Sequence, residues 1–127
     1  MCGNDNLAGQ VIRALSEKRL AGNLPVVGQD ADLEACQRIV EGTQTMTVYK
    51  PVEKLAKRAA ECAIALAEGE AISGSDVKTI NDGTYDIPYI GLVPIAVTKD
   101  NIDEVIIGSG FHLKEDVYLN MPEMIAE

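Results

Sequence analysis

Charged side chains follow two stretches of this sequence that have the composition of buried strands. Asp30 and Asp32 lie in the polar cluster 29–32 that follows the apolar run 25–28, and Lys50 ends the β-rich run that begins at residue 43. A carboxylate accepts hydrogen bonds and an ammonium donates them, so the two kinds of group complement each other toward a ligand. In open α/β sheets, ligands bind just beyond the carboxyl ends of the strands. The pattern therefore predicts a ligand site at these strand ends.

Each of these residues also has a purely structural interpretation. Asp30 lies just before a predicted helix, where a short acidic side chain can cap the free amides of the first turn. Asp32 can serve the same purpose. A lone lysine at a strand–helix junction, such as Lys50, is most often a solvated surface charge.

The elements that must position these groups alternate between strand and helix in the first half of the chain. Apolar residues recur at helical spacing after Asn6, with Leu7, Val11, Ile12 and Leu15 on one face, and Asp5 or Asn6 can cap this helix. Pro51 suits the first position of a later, alanine-rich helix. The predicted helices span 6–20, 33–41 and 52–68, and the predicted strands span 26–29 and 45–49.

The second half of the chain predicts a hairpin followed by shorter elements. Asn81, Asp82 and Gly83 separate two β-rich runs, 77–80 and 85–90, and Asp-Gly is a strong hairpin signal. Pro94 interrupts the next predicted strand, which should therefore lie at an edge. Its bounds are 92–97, and the remaining predictions are short helices at 102–107 and 114–119 and a frayed tail at 121–127.

Composition limits the classes of function. The chain has 127 residues, enough for one domain, and its formal net charge of −9 argues against binding to nucleic acid or to an anionic membrane surface. Its three cysteines include no C-x-x-C pair, and Cys36 and Cys62 fall on apolar helix faces, which indicates small buried hydrophobes. With His112 as the single histidine, a zinc site is not expected, and no cofactor is predicted.

Three segments carry a resemblance to a known family. They are CGNDNLAG at 2–9, GQDAD at 28–32 and GTQTMTVYKP at 42–51, and the run from Gly28 to Pro51 is the most specific. These segments resemble the sugar-binding proteins of bacterial ABC importers, in particular those for D-xylose, which form the type I periplasmic sugar-binding family. The resemblance extends over nearly the whole chain and concerns only the C-terminal portion of these two-lobed proteins.

The resemblance implies an α/β fold, a partial type I periplasmic-binding-protein fold. It would contain C-terminal-lobe segments of a parallel sheet flanked by helices, plus one hinge-crossing helix. Residues 1–50 would form a βαβ segment of the C-terminal lobe. Residues 51–76 would contain the helix that packs in the other lobe, and 77–127 would return across the hinge to a last strand and helix.

The resemblance also implies three ligand-binding residues, Asn4, Asp30 and Lys50, which in the family hydrogen-bond the sugar from the C-terminal side. It favours the ligand role of Asp30 and leaves capping to Asp32. A carboxylate at position 30 can accept from two adjacent ring hydroxyls. The aromatic platform and the arginine of the family's site would come from segments that this sequence does not contain.

The implied function is sugar binding as the substrate-binding component of an ABC transporter, here as a fragment with half of the site. An alternative is a sugar-sensing or regulatory protein, either the effector core of a lactose-repressor-type regulator or a sensor that docks on a membrane histidine kinase. An enzyme is not expected. The carboxylates Asp30 and Asp32 have no partnering base, and the sequence contains neither a G-x-S-x-G nucleophile elbow nor a cluster of metal-ligating residues.

The expected partners are a monosaccharide, D-xylose, and an ABC permease membrane subunit, without nucleic acid or metal. The parent protein is expected to be periplasmic or extracellular and membrane-associated. This chain shows no signal peptide, and we expect Met1 to mark a truncated, internally initiated or engineered start. Without its partner lobe, the helix at 52–68 should dock on its own sheet or drive self-association of the fragment.

Overall fold

Helices and short strands alternate through a computed structural model that describes residues 1–125. The chain divides into two compact units, one formed by residues 1–50 with those from 94 onward and the other by 51–93. The first unit contains α1 (Asp5–Glu17), α2 (Leu33–Glu41), β1 (Thr47–Tyr49), β4 (Ile95–Val97), a π-helical turn (Asp103–Ile107), α4 (Lys114–Val117) and a 3-10 turn (Pro122–Met124). The second contains α3 (Val52–Ala67), β2 (Val77–Asn81) and β3 (Asp86–Ile90).

Helix α1 begins one residue earlier than predicted, which changes the face that it buries. Asn4 is the N-cap, and its Oδ1 accepts a hydrogen bond of 2.9 Å from the amide of Leu7. Asp5, Ala8 and Ile12 are buried, whereas the predicted face residues Leu7 and Val11 are exposed. The predicted caps, Asp5 or Asn6, are therefore wrong. The helix also ends before residue 20, because the amide of Leu20 bonds back to the Leu15 carbonyl around Arg19, which has a positive φ of 57°.

Main-chain hydrogen bonds join three segments of the first unit side by side. The amide of Cys2 donates to Val27, and the amide of Gly28 donates to Met46, over 2.8 and 3.0 Å. Val27 and Met46 form an isolated parallel bridge, so the predicted strand 26–29 is shortened to one bridge residue. The segments on either side of it make too few consecutive main-chain hydrogen bonds with it to form a continuous strand ladder.

Strand β1 continues this array with an antiparallel partner. Thr47 pairs with Val97 and Tyr49 with Ile95. The strand predicted at 92–97 begins at Ile95, directly after Pro94, because proline has no amide hydrogen to give to a ladder. The strand predicted at 45–49 is likewise shortened to β1.

Helix α2 closes the core of the first unit against these strands. It buries Ala35, Cys36, Ile39 and Val40, and it ends at Gly42, whose φ of 84° favours glycine. Asp32 occupies the N-cap position, but its side chain makes no capping bond, which corrects the predicted role. The amides of Ala35 and Cys36 donate instead to the main-chain carbonyl of Asp32. The core is completed by Val97, Ile102, Ile106 and Val117.

The second unit consists of α3 and the hairpin. The hairpin prediction is confirmed: β2 and β3 pair antiparallel from Val77 with Ile90 to Asn81 with Asp86. Asp82 holds the turn, since its carboxylate accepts from the amides of Thr84 and Tyr85. No residue of α3, all of which the structure describes, is buried.

The last elements are shorter than predicted. The helix predicted at 102–107 is the π-helical turn, and the helix predicted at 114–119 is α4. The predicted frayed tail contains a 3-10 turn, and its last two residues lie outside the described part of the chain. Among residues 1–125, no helix has the length and apolar character needed to cross a bilayer.

The three cysteines differ in accessibility, which gives a first prediction. Cys36 is fully buried, and burial, followed by the charges of Asp5 and Asp32, raises the pKa of its thiol to about 12. Cys2 and Cys62 are half-buried. We expect a maleimide at pH 7 to modify Cys2 and Cys62 in the native protein and Cys36 only after denaturation, because the thiolate is the reactive form. Mass spectrometry of tryptic peptides checks this, and native labelling of Cys36 contradicts it.

Candidate functional site

The three sequence-predicted site residues belong to segments that meet at one edge of the first unit. The amide of Asp5, the residue after Asn4, donates to the carbonyl of Gln29 over 2.8 Å. The amide of Asp30 donates to the carbonyl of Val48 over 2.9 Å, two residues before Lys50. Main-chain hydrogen bonds thus join the segments that contain Asn4, Asp30 and Lys50 side by side.

Asp30 and Lys50 form an ion pair at this edge. The Lys50 Nζ lies 2.7 Å from the Asp30 Oδ1, and the two side chains are 48% and 38% exposed respectively. Ion pairs this accessible contribute little to stability, on the order of 0–1 kcal/mol. The pair therefore presents an acceptor and a donor side by side, both within reach of a ligand.

The main chain at Asp30 has an unusual conformation. Asp30 has a φ of 106° and Ala31 a φ of 57°, both in the region that favours glycine. The Ala31 amide donates to the Thr47 hydroxyl over 3.2 Å, and the imidazole Nε2 of His112 lies 2.8 Å from the Ala31 carbonyl. A carbonyl only accepts, so Nε2 carries the proton in this contact. Such backbone strain is retained where the surrounding structure fixes it, and it is concentrated at functional sites.

Asn4 has a structural role that the sequence interpretation did not assign to it. Its Oδ1 caps α1 through the amide of Leu7, and the residue is half-buried. The sequence interpretation gave Asn4 both a donor and an acceptor role toward a ligand. Because the cap uses the oxygen, the Nδ2 group is the part of Asn4 best placed to serve a ligand, as a donor.

Asp5 is a buried polar residue that the sequence interpretation treated only as a possible cap. It is 1% exposed, and its carboxylate accepts from the Gln44 side chain, the Thr47 hydroxyl and the Asp32 amide at 2.9, 2.7 and 3.1 Å. Gly28 lies directly against it, since a Cβ there would come within 2.0 Å of the carboxylate. The one signal in the sequence for the buried role of Asp5 was its position as a second polar residue directly after the helix cap Asn4.

Aromatic rings near the Asp30 turn were also missed. The Phe111 ring lies 4.8 Å from that of Tyr49 and 4.5 Å from that of His112. Tyr49 precedes Lys50, and His112 contacts Ala31, so this cluster flanks the ion pair. The sequence interpretation expected no zinc site at His112 and gave this residue no role at the ligand site. Within residues 1–125 no group of three or more His, Cys, Asp or Glu side chains is arranged to hold a metal ion.

Asp32 lies in a negatively charged surrounding, which gives a second prediction. Partial desolvation, and then the charges of Asp5, Asp30 and Glu34, raise the pKa of Asp32 above 3.8, against the effect of Arg38. The folded protein therefore binds this proton more tightly than the unfolded chain, so ionisation of Asp32 costs stability as the pH rises.

We expect Asp32→Asn to stabilise the protein at pH 7, by about 0.5 kcal/mol because the side chain is exposed. The gain should vanish below pH 3.8, where Asp32 is protonated in both states. Urea unfolding at several pH values measures it. A gain that persists unchanged at pH 3 contradicts the electrostatic explanation.

Comparison with known proteins identifies the family. The sequence model of the periplasmic binding protein domain matches residues 1–71, more than half of the chain. The chain belongs to the periplasmic binding protein domain family. The predicted resemblance and the predicted α/β, partial periplasmic-binding-protein fold are confirmed.

Relatives in this family are sugar-binding proteins by name. The chain is 49% identical over 118 residues to the D-xylose-binding periplasmic protein of Haemophilus influenzae and 44% identical over 117 residues to that of Escherichia coli K12. These matches cover 93% and 92% of this chain but 35% of each relative. The chain thus spans about a third of the length of these relatives.

Solved structures show the same fold. A carbohydrate-transporter solute-binding protein from Chloroflexus aurantiacus, in complex with D-glucose, superimposes with a TM-score of 0.63 at 36% identity over 72% of this chain and 26% of that one. An ABC-transporter solute-binding protein from Clostridium phytofermentans, with bound β-D-glucose, gives a TM-score of 0.71 over 90% of this chain and 35% of that one. Its identity of 24% supports the fold alone.

Proposed function

We propose that this chain supplies one wall of a monosaccharide-binding site in the substrate-binding component of an ABC importer, and that it is not an enzyme. The observation that carries the proposal is the exposed ion pair of Asp30 and Lys50 on a strained turn at the edge of the first unit. Such an edge is where open α/β folds bind ligands.

The chemistry of these groups suits a sugar. Each sugar hydroxyl both donates and accepts, so it needs acceptors and donors close together. Asp30 accepts, and its two oxygens can take hydrogen bonds from adjacent hydroxyls. Lys50 donates and keeps its neutralising position beside Asp30, and the Nδ2 of Asn4 is a further donor. When the bound sugar covers these groups, a sugar that lacks one of these hydroxyls leaves one of them without a hydrogen-bond partner, at a cost of about 1–3 kcal/mol.

D-xylose is the sugar that we propose. Two relatives that share 49% and 44% of their aligned residues with this chain, over more than nine tenths of its length, are named as D-xylose-binding proteins. The residues of this wall alone suit any small polyol. The choice among pentoses and hexoses therefore rests on these relatives.

We propose that residues 1–50 belong to one lobe and that α3 and the hairpin belong to the other, with the chain crossing at Lys50 and returning near Pro94. In this proposal, sugar binding closes the lobes, and an ABC permease recognises the closed form. The names of the relatives support a periplasmic location.

The third prediction follows from the share of the relatives that this chain covers. We propose that this chain, which spans 35% of their length, supplies the Asp30 side of the site and that other segments of such proteins supply the opposing wall. We expect isothermal titration calorimetry to find only millimolar affinity for D-xylose, because a one-sided site leaves much of the sugar in water. L-Arabinitol, an open-chain polyol, is the control and should bind no better. Micromolar or tighter affinity contradicts the half-site.

A further inference from the structure

We propose that Asp5 is a positioning residue of the sugar site: through the Thr47 hydroxyl and the Asp32 amide, its buried carboxylate holds the Asp30–Ala31 turn so that Asp30 faces Lys50. The inference rests on the proposed function for its meaning, because it names Asp30 as a sugar ligand. Its geometry stands on contacts among residues of the first unit alone.

The carboxylate of Asp5 is held by hydrogen-bond donors rather than by a cation. Its Oδ1 accepts from the Gln44 Nε2, and its Oδ2 accepts from the Thr47 hydroxyl and the Asp32 amide. Arg38 lies nearby, but its guanidinium donates to the main-chain carbonyl of Asp5 and to the Gln44 Oε1. Three acceptor bonds on a residue that is 1% exposed fix the carboxylate in one position.

Thr47 transmits this position to the turn. Its hydroxyl donates to Asp5 over 2.7 Å and accepts from the Ala31 amide over 3.2 Å. The hydroxyl has one hydrogen, and Asp5 receives it, so a lone pair faces Ala31. The Asp32 amide bonds to Asp5 directly. Asp5 therefore fixes two consecutive amides that follow Asp30.

The turn needs such restraint because its conformation is unfavourable. Asp30 and Ala31 both have positive φ, and a Cβ makes that region costly. If the amides of Ala31 and Asp32 were released, the turn could relax to negative φ. That change rotates the Asp30 side chain away from Lys50, which lies 2.7 Å from it in the present arrangement.

Thr47→Val and Thr47→Ser form the matched pair that tests this. Valine keeps the shape and removes the hydroxyl, whereas serine keeps the hydroxyl. In NMR hydrogen exchange, Thr47→Val should speed exchange of the Ala31 amide by about tenfold relative to core amides of α2, the loss of one hydrogen bond. Thr47→Ser should stay within about threefold of the wild type. Asp5→Asn should speed exchange of the Asp32 amide, because an amide group offers fewer acceptors.

Sugar binding gives the second readout. With D-xylose added to the full chain, the amide chemical shifts of Asp30 and Lys50 should change in the wild type and in Thr47→Ser. In Thr47→Val these changes should be at least about fivefold smaller, provided that the amides of α2 keep their protection from exchange. If the wild type shows no sugar-induced shift, the proposed function fails, and the exchange rates still decide whether Asp5 holds the turn. The proposal would be overturned by an unchanged exchange rate of the Ala31 amide in Thr47→Val, or by equally faster exchange in both Thr47 variants. It would also be overturned if folded Thr47→Val showed the full sugar-induced changes in chemical shift.

Discussion

Replacing Asp30 by asparagine should weaken D-xylose binding by about thirtyfold or more in a protein that has both walls of the site. A carboxylate that accepts from sugar hydroxyls beside Lys50 loses its charge in this variant, and hydrogen bonds to charged groups are worth about 1.5–3 kcal/mol. Asparagine tolerates the positive φ of Asp30, so the turn itself is retained.

The measurement uses a chimera in which this chain replaces the matching 35% of the Haemophilus influenzae D-xylose-binding protein. Calorimetry should give micromolar or tighter affinity for the parent chimera. Asp32→Asn is the matched control, since it removes the same charge two positions further along the chain. The Asp32 side chain makes no capping bond, and the affinity of this variant should change by less than about threefold. Equal losses in the two variants, or none at Asp30, contradict the assignment of Asp30.

Gly28→Ala should be among the most destabilising single substitutions in this chain. The added Cβ would lie 2.0 Å from the Oδ1 of Asp5 and 3.0 Å from the Nε2 of Gln44. Either the buried carboxylate moves and loses its hydrogen bonds, or the neighbouring segments separate. Overpacking and a lost buried hydrogen bond together predict a loss of about 2–4 kcal/mol.

Urea unfolding of Gly28→Ala against Gly3→Ala measures this effect. A Cβ at Gly3 would meet only the Leu7 side chain, at 3.9 Å, which is an ordinary contact. Gly3→Ala should therefore change stability by less than about 0.5 kcal/mol. An unfolding midpoint for Gly28→Ala that matches the control would mean that the carboxylate of Asp5 is not held as tightly as its contacts indicate.

Elements set by local chemistry were predictable from the sequence. The hairpin follows from the Asp82-Gly83 turn, and the structure places it within one residue of its predicted bounds. Helix α3 starts directly after Pro51, which is its N-cap rather than its first helical residue, and it ends at Ala67, two residues before Gly69. These signals act within a few residues, so no tertiary partner is needed to recognise them.

Contacts between distant residues were not predictable in this way. Asp5 meets Thr47 across 42 residues, and His112 meets Ala31 across 81. No periodicity or local motif encodes such a pairing. The helix cap was misassigned for a related reason: three polar residues in a row, from Asn4 to Asn6, can each cap a helix, and burial of Asp5 decides which one does.

The site residues themselves came from a resemblance, and the fold supplies a physical reason for them. Asp30 and Lys50 are 20 positions apart in the sequence, yet parallel main-chain bonds place them in contact. The strain at Asp30 could not be foreseen, because aspartate before a helix usually adopts ordinary extended angles. Its presence marks this turn as one that the surrounding structure holds in place.

The most direct test of the central claim is an amide-resolved NMR titration of the 127-residue chain with D-xylose at up to saturating concentration. If Asn4, Asp30 and Lys50 form one wall of a sugar site, saturable shifts should concentrate at these three residues and their neighbours, and Asp30→Asn should abolish them. Saturable shifts confined to α3 and the hairpin, with the edge at Asp30 unperturbed, would contradict the account.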